Sequence, residues 1–117
     1  MKADSFTKAQ RQEIRRLGSL AHERELGAAA EQLRFEFERW RSGEIDVFTL
    51  NDHIHKFHDG VSRDLYKRYV IGEVEWGVAS AIAREVLKEP EIDTSILEGL
   101  RSAIESIRQM MKEDEGA

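Results

Sequence analysis

Proline occurs once in this chain, at position 90, and no run of β-branched and aromatic residues alternates with polar ones for long enough to make a strand. Apolar residues recur instead at spacings of three and four, the period of a helix with one buried face. The pattern predicts an all-α fold, a small bundle of four or five antiparallel helices. With 117 residues there is material for one core, so residues 1–112 read as a single helical domain and residues 113–117 as a disordered acidic tail.

The first helix is the longest. From Thr7 to Arg41, Ile14, Leu17, Ala21, Ala29, Leu33, Phe37 and Trp40 keep helical spacing, and Ser42-Gly43 supplies the stop. Unbroken, it would reach about 52 Å, against a radius of gyration of about 13 Å for a compact domain of this length. It must bend or break near Gly18-Ser19, or project and pair with another chain; the bend or break is the expectation. A second helix starts at the N-cap Asp46, with Ile45 and Leu50 placed to staple it. Val47, Leu50, Ile54, Phe57 and Val61 follow, and Asp59-Gly60 reads as a turn. A third helix is predicted from about Ser62 to Lys88, ending before Pro90, with Leu65, Tyr69, Trp76, Ala79, Ile82, Ala83 and Val86 inward. Its small central residues permit a close neighbour. The last helix opens on Ser95-Ile96-Leu97-Glu98, a capping-box pattern, and continues a seam of Leu97, Leu100, Ile104, Ile107 and Met111. Trp40 and Trp76 are both in phase with the core.

Several chemistries are excluded at once. There is no cysteine, hence no disulfide, thiolate nucleophile or zinc ribbon. No apolar run spans a bilayer and no signal-peptide pattern follows the first residues, so a cytoplasmic protein without membrane contact is expected. Net charge is −5, distributed as +2 over residues 1–43, −3 over 44–89 and −4 over 90–117. That field argues against a nucleic-acid partner, since only Lys8, Arg11, Arg15 and Arg16 form a basic cluster, with Glu13 among them. No serine sits in a glycine-flanked elbow and no glycine-rich phosphate loop is present, so neither an enzyme nor a cofactor is expected.

One stretch stands out. Three of the four histidines, His53, His55 and His58, fall within six residues of each other. On a helix, Asp52, His55, His58 and Asp59 share a stripe at spacings of three and four, nitrogen and oxygen donors that could take a divalent metal. Familiar metal signatures fail, because Phe57 stands where a His-x-His-x-Asp-His run needs aspartate and Leu26 where His-Glu-x-x-His needs histidine. The Asp59-Gly60 turn followed by Ser62, Arg63, Lys67 and Arg68 gives a second alternative, a helix-turn-helix-like DNA-binding regulator. The leading expectation is a small interaction module for a protein partner or for itself, an adaptor, a regulatory or immunity-type partner, or a homodimer. Its surface would be Asp52, His55, His58, Asp59, Arg63, Tyr66 and Lys67, because arginine and tyrosine anchor interfaces.

Overall fold

A computed structural model of the chain describes residues 6–116, and among them there is no strand. The fold is an all-α small bundle. Its first helix, α1, runs from Lys8 to Arg41. Thr7 caps it reciprocally: its hydroxyl accepts the Gln10 amide at 3.1 Å, and the Gln10 side chain accepts the Thr7 amide at 2.8 Å. At the far end Gly43 takes φ +82°, the left-handed conformation that closes a helix, so the predicted stop holds.

The predicted break near Gly18 is absent. Gly18 is buried inside α1, and a Cβ there would stand 2.7 Å from Val74 Cγ2 at the start of another helix, α4 (Val74–Ala83). This glycine serves close approach between helices, and α1 takes the other course open to it and projects.

The expected turn at Asp59-Gly60 is also absent. α2 (Val47–Lys56) passes into a π-helical turn, Phe57–Ser62, then one α-helical turn, α3 (Arg63–Tyr66), then a second π-helical segment, Lys67–Ile71. Residues 47–71 are therefore one rod. Its start is as predicted, with Asp46 accepting the Thr49 amide at 2.8 Å. The apolar spacing supplies the reason for the wide turns. Phe57, Val61, Leu65 and Tyr69 are four apart, and on an α-helix each such step overshoots a full turn by about 40°. Wider turns absorb that drift and keep the four in one seam.

The rod ends at Gly72, whose backbone is extended, and α4 follows at once. The predicted third helix is thus divided in two. α4 stops at Arg84, where Glu85 takes φ 63°, and Pro90 lies in a short 3-10 turn, Glu89–Glu91. The last helix, α5 (Thr94–Gly116), is capped by Asp93 rather than Ser95. The Asp93 carboxylate accepts both the Ser95 amide at 2.8 Å and its hydroxyl at 2.5 Å, which leaves no cap for the serine to make. Where a disordered acidic tail was expected, α5 continues through Glu115 to Gly116, with the Gln109 side chain donating to Glu113 at 3.4 Å; Ala117 lies outside the described residues.

The core lies at one end. Ile14, Leu17 and Ala21 of α1 meet Val78 and Ile82 of α4, Leu87, and Ile96, Leu100 and Ile104 of α5. Leu65 and Tyr69 bring the inner end of the rod into the same cluster. Past Ala21, α1 buries no residue, and Leu50 is buried apart from the main core. Glu25 meets Arg68 and Tyr69, whereas Glu36 meets His53, so α1 and the rod run antiparallel and form a two-helix arm. The molecule measures 54 × 35 × 25 Å with a radius of gyration of 17.3 Å, well above the about 13 Å of a compact chain.

The arm corrects the tryptophan expectation. Trp40 is 40% exposed because no third helix among the described residues covers it, and Trp76 is 44% exposed because the break at Gly72 resets the phase on which its burial depended.

Candidate functional site

The seven residues singled out from the sequence, Asp52, His55, His58, Asp59, Arg63, Tyr66 and Lys67, are all exposed along the rod. They are polar positions of a helix and need no partner there. His58 Nδ1 lies 3.2 Å from the neighbouring Asp59 carboxylate. Among the described residues no three histidine, aspartate or glutamate side chains come within reach of one metal ion, so the Asp52, His55, His58, Asp59 stripe does not converge. The helix-turn-helix alternative loses its turn, since Asp59 and Gly60 lie inside the rod. The basic cluster is partly tied off as well: Arg16 grips Glu13 at 2.6 and 2.7 Å, and Arg11 donates to the Phe6 carbonyl at 2.6 Å.

A surface that the sequence had assigned to the core is open instead. Between α1 and the rod runs a groove whose outer part encloses about 390 Å³ and whose inner part about 440 Å³, and Val61 lines both. Ala29, Leu33, Phe57 and Val61 make the outer floor, with Gln32, Glu36, His53 and Lys56 on the rim. Ala28 and Leu65 continue the floor inward between Glu25, Asp64 and Arg68. Outside the groove the arm leaves further apolar side chains in water, Phe48 at 77% and Phe35 at 58% exposure. Scattered apolar residues are ordinary on a surface, but a continuous apolar seam with a polar rim is the form of a binding groove.

Both ends of the groove are held by half-buried carboxylates. At the outer end Glu36 accepts Arg39 at 2.9 Å and stands 3.2 Å from His53 Nε2, so α1 and α2 are joined through it. At the inner end Glu25 accepts Tyr69 Oη at 2.6 Å, Arg68 at 3.4 Å and Arg84. Arg84 also donates to Ser80 Oγ at 3.0 Å and to Tyr69 Oη at 3.3 Å. The His22 ring stacks on Tyr69 at 5.5 Å between centroids. Burial alone would raise the Glu25 carboxyl, but the bonds from Arg84 and Tyr69 with the charges of Arg84 and Arg68 outweigh it, and the group titrates below its ordinary range. Burial and the Glu25 carboxylate push the Tyr69 phenol up to about 12.

This inner cluster escaped the sequence reading, although one signal was present. Glu25 follows Ala21 by four on the buried stripe of α1, and a carboxylate in phase with a buried stripe requires partners. The groove left no such signal, because Leu33 and Phe57 have the same spacing whether or not another helix covers them. No family model, curated protein or solved structure matches this chain. Among the described residues no helix is long and apolar enough to cross a membrane.

Proposed function

We propose that this chain is a helical protein-interaction module whose docking surface is the groove of the projecting arm. The carrying observation is the arm itself: two helices extended from the core, with an apolar seam that no third helix among the described residues covers. Helices bury their apolar stripes against other helices, and a groove of this form takes an amphipathic helix. The flank bearing Arg63, Tyr66 and Lys67 adjoins the seam and is a second surface for the same role, with Tyr66 half exposed.

A photo-reactive amino acid placed at Gln32 in the full chain, expressed in its source cells, tests the reading. A discrete crosslinked protein from position 32, absent when the probe is moved to exposed Ser102 on α5, supports it. Crosslinking that is equal or nonspecific at both positions overturns it. Val61→Asp and Tyr66→Ala then separate the two surfaces: loss of the adduct with Val61→Asp alone assigns it to the groove, and loss with Tyr66→Ala alone to the flank.

A further inference from the structure

We infer that the occupant of the groove is the arm of a second copy of this chain, lying antiparallel about a two-fold axis that crosses the seam at the level of Val61. This rests on the interaction reading above and names its partner. Among the described residues the arm has two of the four helices of a bundle, and a second arm supplies the other two in one step.

The rim charges match themselves. Lys56 and Asp64 stand on either side of Val61, both are exposed, and neither takes part in an ion pair among the described residues. A two-fold axis between them sets Lys56 of each copy against Asp64 of the other, so one kind of contact occurs twice. The mixed rim offers no field to a strongly basic or strongly acidic partner, because each end of the groove carries both signs. Alanines at 28 and 29 on the α1 side let the second copy approach closely. An arm face about 20 Å wide and about 24 Å long is small for a standard interface of about 800 Å² per partner, so the expected dimer is weak and reversible and is sought through the micromolar range.

Sedimentation equilibrium of the full chain, up to about 200 µM at moderate salt, reads the association directly. The expected result is a concentration-dependent rise to twice the monomer mass. Lys56→Glu and Asp64→Lys each weaken the dimer about tenfold by setting like charges together, and the double variant restores it. Circular dichroism shows the fold intact in all three. A wild-type chain that stays monomeric throughout overturns the inference, while a crosslink from position 32 to a different protein leaves the interaction reading standing. A dimer whose double variant is no tighter than the singles also overturns it, since the pairing then uses another face.

Discussion

Glu25 joins three helical segments through one carboxylate, reaching Tyr69 and Arg68 on the rod and Arg84 at the end of α4. Glu25→Gln keeps the shape and removes the charge, and is expected to cost about 1.5–3 kcal/mol in urea unfolding at neutral pH. The effect depends on pH in a defined direction. Because folding lowers the Glu25 pKa, its stabilisation is complete above the ordinary value of 4.5 and is lost as pH falls through the lower folded value. Wild type and Glu25→Gln should therefore differ at pH 7 and converge in acid, and a gap that persists unchanged to pH 2 would contradict this assignment. At this scale the sequence was legible where a side chain acts on its neighbours. Asp46 and Gly43 could be read because capping depends on local backbone alone. Arg84 could not, since its partner lies 59 residues away.

The elements divide in the same way. Whether residues 59–60 form a turn or a stretch of helix is decided by Gly60→Ala. In the continuous rod Gly60 has no positive φ, and a Cβ there would meet nothing within 4 Å. The alanine should then stabilise by about 0.5–1 kcal/mol in thermal or urea unfolding, whereas a left-handed turn would be destabilised by it. Gly18→Ala has the opposite expected sign. Its Cβ would stand 2.7 Å from the stiff Val74 side chain, and overpacking of about 1–3 kcal/mol exceeds the about 1 kcal/mol of helix propensity gained. Two glycines on helices thus respond in opposite directions because only one faces a neighbour. Helix existence was legible from periodicity, but the π-helical turns were not. The run of fours from Phe57 to Tyr69 carried the signal, and a glycine beside an aspartate masked it as a turn.

At the scale of the molecule the packing is uneven. The end containing Ile82 and Leu100 has four helical segments around it, while the arm has two helices and Leu50. In the monomer, held well below micromolar concentration, amide hydrogens of 28–56 should therefore exchange well before those of 78–83 and 100–107, on the reasoning that local opening follows thin burial. Equal protection across both ends would show that the arm is covered in solution. The sequence by itself determined that the chain is helical, where α1 begins and ends, and that Leu100, Ile104 and Ile107 of α5 face inward, though not that Ile96 and Ala103 join them. Those features follow from period, caps and breakers within a few residues of each other. Only the tertiary structure decided that α1 stays whole, that residues 47–71 form one rod, that Leu33 and Phe57 border an open seam, and that Trp40 is left partly exposed. The physical reason is that an apolar stripe specifies a need for burial without specifying what meets it. In this chain α4 and α5 meet the inner half of α1, and the outer half is left to its single neighbour.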